Sequence, residues 1–184
     1  MSEIVLGVTG SIAAYKAAEL TRILVKSGHT VSVIMTKAAT KFVTPLTFRT
    51  LSRRPVAIGI FDPVAEWDPR HISLARRAEV LVVAPCSADA IAKLANGLAD
   101  DELSATALAC RAPLVIAPAM NDAMFDHPAT KANLATLKAR GAIIVDPVIG
   151  ELACGSEGRG RLAPVEEIAR TIETVLARNA GRLQ

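Results

Sequence analysis

From Ile4 a short β-branched run stops at two glycines, in a turn that reads Gly7-x-x-Gly10, and Ser11-Ile12-Ala13-Ala14-Tyr15-Lys16 opens a segment rich in helix formers. Strand, tight turn and helix in direct succession leave unpaired backbone N–H groups at the helix start. The helix dipole favours an anion there. Gly10 lets the backbone come close to a phosphate, and the Ser11 hydroxyl can add a hydrogen bond. Many chains make the same turn for steric reasons alone, so its meaning rests on the remainder of the chain.

The remainder repeats the unit. Residues 13–27 read as an amphipathic helix stopped by Gly28, and 29–35 as a second strand. Residues 38–43 and 45–52 read as helical pieces, 55–58 as a short edge strand, and 61–70, with Pro63, Pro69 and the only Trp, as a loop. A short helix over 71–78 leads to 79–84 (EVLVVA), whose apolar run without alternation predicts a strand buried on both faces. Helices follow over 90–95 and, capped by Asp101 or Asp100, over 102–110. Then come a strand over 113–117, a helix over 128–140 between Pro128 and Gly141, and a last strand over 142–146. Four glycines within 150–160 predict a mobile loop, and 165–177 a closing helix. The expectation is an α/β, Rossmann-like single domain over 1–184, with a core of about 3–177 and a tail of 178–184. Its parallel sheet carries helices on both faces and right-handed crossovers.

Composition narrows the function. Hydrophobic residues make up 51% of the chain and aromatic ones 3%, so the core must be built of Ala, Val, Leu and Ile. Net charge is +3 with acids and bases intermixed, and no basic tract points to nucleic acid. No apolar run is long enough to span a bilayer, and Met1-Ser2-Glu3 leads straight into the first strand, so neither membrane nor secretory signal is expected. Three widely spaced cysteines without Cys-x-x-Cys argue against disulfides or zinc and for a reducing cytoplasm.

Ligands of such sheets bind beyond the carboxyl ends of the strands. Those ends are Gly10-Ser11, Thr36, Pro85-Cys86-Ser87 and Pro118-Ala119-Met120-Asn121, all small or polar in character. A dinucleotide reader needs an acid after the second strand, but this one ends Met35-Thr36-Lys37. A mononucleotide with one phosphate fits better. His71, after a Pro-rich loop, is a candidate acid–base group or a capping residue. Asn121 stands in a turn where Asn is also common for local reasons. Cys154, in a glycine-rich, arginine-bearing stretch, reads as a thiol delivered by a closing lid. Cys86 and Cys110 read as core residues, and His29 and His127 as surface turns.

Five motifs in order carry a resemblance across 4–177. They are Gly10-Ser11-Ile12-Ala13-Ala14-Tyr15-Lys16, His71-Ile72-Ser73-Leu74-Ala75, Ala84-Pro85-Cys86-Ser87-Ala88-Asp89, Pro118-Ala119-Met120-Asn121-Asp122-Ala123-Met124-Phe125, and Ala153-Cys154-Gly155-Ser156-Glu157-Gly158-Arg159-Gly160-Arg161-Leu162. In these the chain resembles the homo-oligomeric flavin-containing cysteine decarboxylases, and among them the branch that acts on 4'-phosphopantothenoylcysteine. Phe125 replaces a common Trp, Leu162 a common Met, and Asp89-Ala90 the Asn-Thr of another branch. The resemblance implies a Rossmann-like flavoprotein fold with FMN, its phosphate at Gly10, Ser11, Ile12 and Thr36. The ring would lie by Phe42, Ser87, Ala88, Asp89, Ala119 and Met120. It implies catalytic roles for His71, Asn121 and Cys154, and substrate contacts at Asn121, Met124, Arg76, Ala153 and Cys154. The implied reaction oxidises the substrate thiol to a thioaldehyde, releases carbon dioxide and reduces the enethiolate, with Cys154 as proton donor. A neutral amide at Asn121 would orient the carboxylate without over-stabilising it. The implied partners are further copies of the chain, as a trimer or a dodecamer built from trimers, and a phosphopantothenoylcysteine synthetase domain, fused or separate.

Three other readings compete. A peptidyl-cysteine decarboxylase would release the enethiol unreduced, which Cys154 argues against. A flavin prenyltransferase would carry an arginine where this chain has Pro118-Ala119-Met120-Asn121. An FMN-binding regulatory subunit would divide His and Cys among chains and carry acidic tails, whereas His71, Asn121 and Cys154 share one chain.

Overall fold

Five parallel strands, in the order β2-β1-β3-β4-β5, form the sheet of this computed structural model, which describes residues 1–61, 69–151, 155 and 157–180. They are β1 (Glu3–Val8), β2 (Thr30–Met35), β3 (Val80–Cys86), β4 (Leu114–Pro118) and β5 (Ile143–Ile144). β3 is buried at every residue, as its unbroken apolar run predicts. Along it Val80, Val82 and Ala84 face one layer, and Leu81 and Val83 the other. The first layer is packed by α1 (Ala14–Lys26) and α8 (Val165–Ala180), through Leu20, Leu24, Ile168 and Ile172. The second is packed by α3 (Arg70–Arg77), α4 (Ala88–Asn96), α5 (Glu102–Ala109) and α7 (Pro128–Ala139), through Leu74, Ile91, Leu103 and Leu137. The expected α/β architecture with helices on both faces is present.

Local chemistry sets the helix bounds. Buried Ala14, Ala17, Thr21 and Leu24 give α1 one apolar stripe. Asp101, not Asp100, caps α5 in a reciprocal box with Ser104, a feature that contributes about 1 kcal/mol. The helix expected over 90–95 begins two residues earlier, because the Ser87 hydroxyl accepts the Ala90 N–H. α2 (Pro45–Ser52) and a 3-10 turn (Ala39–Lys41) follow β2 as expected.

Several expectations need correction. Gly7 belongs to β1 rather than to the turn, and a Cβ there would run into the Leu103 side chain, so it serves the seating of α5 on the sheet. The edge strand over 55–58 reduces to one parallel bridge between Ala57 and Ile34. β5 pairs over two residues, not five. The glycine-rich stretch is not a plain loop: β6 (Val148–Glu151) and β7 (Glu157–Arg161) pair antiparallel as a separate two-stranded sheet. A further helix, α6 (Asp122–Asp126), follows β4 where a turn was expected. Most of the loop over 61–70 lies outside the described residues, and Arg70 already belongs to α3.

Candidate functional site

The order β2-β1-β3 places the reversal of chain direction between β1 and β3, the usual ligand crevice of an open parallel sheet. Thr9 joins the two strand ends there. It is 1% exposed, its Oγ1 donates to the Pro85 carbonyl (2.8 Å), and it accepts the Ser87 N–H (2.9 Å). The Thr36 N–H donates to Val8 O and the Ala119 N–H to Cys86 O, so the ends of β1, β2, β3 and β4 make one continuous rim.

Two cavities open on that rim and share Gly10, Ser87, Ala88 and Met124. The first, about 800 Å³, is reached by Thr9, Thr36, Lys37 and Asp89. The second, about 720 Å³, is reached by Ser11, Ile12, Phe42, Ala119, Met120 and Asn121. Every expected cofactor residue thus lines one or both, as do Asn121 and Met124. His71 and Arg76, on α3, line neither. Ala153 and Cys154 lie outside the described residues.

The residues at the turns fit an anion. Gly10 is pressed against Ala38, whose Cβ would collide with any side chain at position 10. The turns 10–12 and 36–38 are therefore held face to face. Among the described residues the backbone N–H groups of Gly10, Ile12, Lys37 and Ala38 donate to no protein acceptor. Unpaired donors facing each other at two strand ends are what a phosphate requires.

Asn121 is the N-cap of α6, and its Oδ1 accepts the Ala123 N–H (2.9 Å). That commits the oxygen to the helix cap, and Nδ2 is the donor of the amide. The β6–β7 hairpin lies directly on this turn. The Met120 N–H donates to Gly160 O (3.0 Å), and a Cβ on Gly160 would collide with the Met120 carbonyl oxygen. Arg159 stacks 5.4 Å from the Phe125 ring centre and reaches Asp146 (3.5 Å).

Electrostatics separate the inert groups from the exposed ones. Burial pushes the Cys86 thiol far above its ordinary value, with Asp89 adding to it, and burial also raises Cys110. Both behave as core residues, as expected. Burial pulls Lys93 down, but hydrogen bonds to Asp100 and Asp101 outweigh it and hold the ammonium above its ordinary value. His71 is half-buried in the first turn of α3, with its Nδ1 buried and without a partner among the described residues.

The model of the Flavoprotein family matches residues 1–177. The chain belongs to this family. This flavoprotein is 50% identical over 168 residues to the coenzyme A biosynthesis bifunctional protein CoaBC of Vibrio cholerae, a match covering 91% of the chain and 42% of that relative. The chain therefore spans less than half the length of the curated relatives it matches. Among solved structures, it is similar to a cysteine-to-serine variant of PPC decarboxylase complexed with pantothenoylaminoethenethiol. The TM-score is 0.83 at 30% identity, over 94% of this chain and 97% of that one. It is also similar to the FMN-dependent cysteine decarboxylase SpaF, with a TM-score of 0.84 at 29% identity over 98% of each chain. Several lining residues of the flavoprotein were not foreseen. Thr9 and Lys37 belong to none of the site readings made from the sequence, and the signal for Thr9 lies in a pairing with residues 76 and 78 positions away.

Proposed function

We propose that this flavoprotein binds FMN and converts 4'-phosphopantothenoylcysteine to 4'-phosphopantetheine and carbon dioxide in coenzyme A biosynthesis. The observation that carries the reading is the meeting of the donor-rich Gly10 and Thr36 turns, the Asn121 turn and the β6–β7 hairpin at one rim. The names of the similar proteins supply the substrate class. When bound, the flavin supplies a two-electron oxidation of the substrate thiol and its later reversal. The chain's own residues do the rest. The turns 10–12 and 36–38 hold the cofactor phosphate. Asn121 Nδ2 orients the substrate carboxylate without the charge that would hold it back from leaving. The hairpin covers the reacting atoms and excludes water. Apolar Ile12, Phe42 and Met124, each at least half exposed, give a flat ring surfaces to pack on.

The working unit is proposed to be a homo-oligomer, a trimer or a dodecamer built from trimers. His71 and Arg76 line neither cavity, so a neighbouring copy is their natural destination. One domain over 1–184, a cytoplasmic location and cooperation with a phosphopantothenoylcysteine synthetase, fused or separate, complete the proposal. Among the described residues no helix is long and apolar enough to cross a membrane.

The test is incubation of the yellow protein with 4'-phosphopantothenoylcysteine, followed by mass. A loss of ~44 mass units without net oxidation supports the reading, whereas a loss of ~46 assigns the enethiol product of a peptidyl-cysteine-type enzyme. Two variants sharpen it. Gly10→Val is expected to purify colourless, because the side chain drives the 10–12 turn away from Ala38 and separates the phosphate donors. Extraction of FAD from the wild type, or full FMN in Gly10→Val, contradicts this. His71→Asn is expected to keep FMN and fold while turnover falls at least about 100-fold, the usual worth of a general acid–base group. Turnover should return in part when His71→Asn and Asn121→Asp subunits are mixed, since hybrid oligomers then contain intact shared sites. No recovery in a proven mixed oligomer places both residues in one chain's site.

A further inference from the structure

Two cations line the second cavity without a partner among the described residues. Lys16, half-buried in the first turn of α1, and Arg161, at the end of β7, both line it. Among the described residues neither has a hydrogen-bond or ion-pair partner for its side chain, and neither pairs with Glu151, which also lines this cavity. Elsewhere Lys93 is partnered by Asp100 and Asp101, Arg159 by Asp146 and Lys131 by Asp126, whereas Lys37 of the first cavity is, like Lys16 and Arg161, without an ion-pair partner among the described residues. The backbone makes room for Arg161. A Cβ at Gly150 would stand 3.0 Å from its Nη1 and 3.2 Å from its Cδ, so the side chain lies across a glycine on the paired strand. Holding a half-buried ammonium unpaired costs free energy that a bound anion returns.

The molecule therefore offers two places for an anion. The first is the pair of turns 10–12 and 36–38, rich in unpaired N–H groups and already sufficient for one phosphate. The second is the wall of the other cavity, which carries Lys16 and Arg161 together with the Asn121 turn. We infer that Lys16 and Arg161 form the subsite for the phosphate of the substrate and set the preference for a phosphorylated over an unphosphorylated pantothenoylcysteine. This rests on the function proposed above and deepens it. The ligand class is a phosphomonoester dianion at the end of an uncharged amide chain. Arginine forks onto two phosphate oxygens, and lysine adds a point charge.

The experiment compares kcat/KM for 4'-phosphopantothenoylcysteine and pantothenoylcysteine in the flavin-loaded protein. The wild type should prefer the phosphorylated compound by about 10- to 100-fold, the worth of one or two charge-assisted hydrogen bonds. Lys16→Gln and Arg161→Gln should each lower that preference, and the double variant should abolish it, with flavin content and the rate on pantothenoylcysteine unchanged. Arg161→Lys should keep part of it, and Lys131→Gln, on the outer surface, all of it. Calorimetric binding of 4'-phosphopantetheine against pantetheine should show the same collapse without any turnover. Equal losses on both substrates, loss of flavin from the variants, or a preference that survives the double substitution overturns the subsite. Absence of turnover of either compound by the wild type overturns the proposed function and the subsite with it.

Discussion

Gly160→Val is expected to lower kcat/KM for 4'-phosphopantothenoylcysteine by more than about 100-fold while the five-stranded sheet stays folded. A Cβ at this position collides with the Met120 carbonyl oxygen, a backbone atom that cannot rotate aside. The turn beneath is fixed. Its Ala119 N–H is held by Cys86 O, and Asn121 caps α6. The hairpin must therefore move, and it loses the Met120 N–H···O Gly160 bond as it does so. One such bond contributes about 1 kcal/mol, a small part of the stability of a domain whose two apolar layers lie elsewhere. Its loss still displaces the lid by the order of 1 Å, which is enough to uncouple the reacting groups. Circular dichroism and the melting temperature should change little while steady-state rates fall. Wild-type rates in Gly160→Val would show that the hairpin plays no part in turnover. Gly155 is a useful contrast, since nothing lies within reach of a Cβ there and only its backbone angle (φ +81°) opposes a side chain.

Much of this architecture was legible because it is local. The stripe of α1, the unbroken apolar run of β3 and the cap at Asp101 depend on residues a few positions apart. What the sequence hid is non-local or works against propensity. Gly7 reads as a turn residue until Leu103, ninety-six positions on, is seen to need its space. Thr9 reads as part of the same turn, although its hydroxyl bridges two strands through Pro85 and Ser87. The hairpin was hidden because glycine is unfavourable in strands. Yet Gly158 and Gly160 are there so that β7 can approach Asp122 and Met120 closely. The site residues were named through the resemblance of motifs. Their grouping follows from the meeting of four strand ends, and the position of His71 outside both cavities was invisible in one chain's sequence.

Cys154→Ser is expected to release carbon dioxide once and then stall. Glu151 and Glu157 face each other across the hairpin, and Cys154 lies between them in sequence. On the proposed mechanism, oxidation and decarboxylation need a base and a held substrate carboxylate, which Asn121 would orient. They do not need an acid on the lid. The proposed last step would need a proton on the substrate carbon while the bound flavin supplies the reducing equivalents, in a site the hairpin would keep from water. A thiol, with an ordinary pKa near 8.5, gives up that proton readily, whereas a serine hydroxyl is a far weaker acid. The variant should therefore accumulate a product ~46 mass units below the substrate in an amount equal to its flavin. Steady-state formation of the saturated product should fall by at least about 100-fold, the scale of a lost general acid. A rapid-quench burst of carbon dioxide with no second turnover confirms the role, and normal multiple turnover to the saturated thiol refutes it. The fold should be untouched. Gly160→Val, by contrast, should lower the burst itself, because the displaced hairpin no longer shields the first chemistry from water.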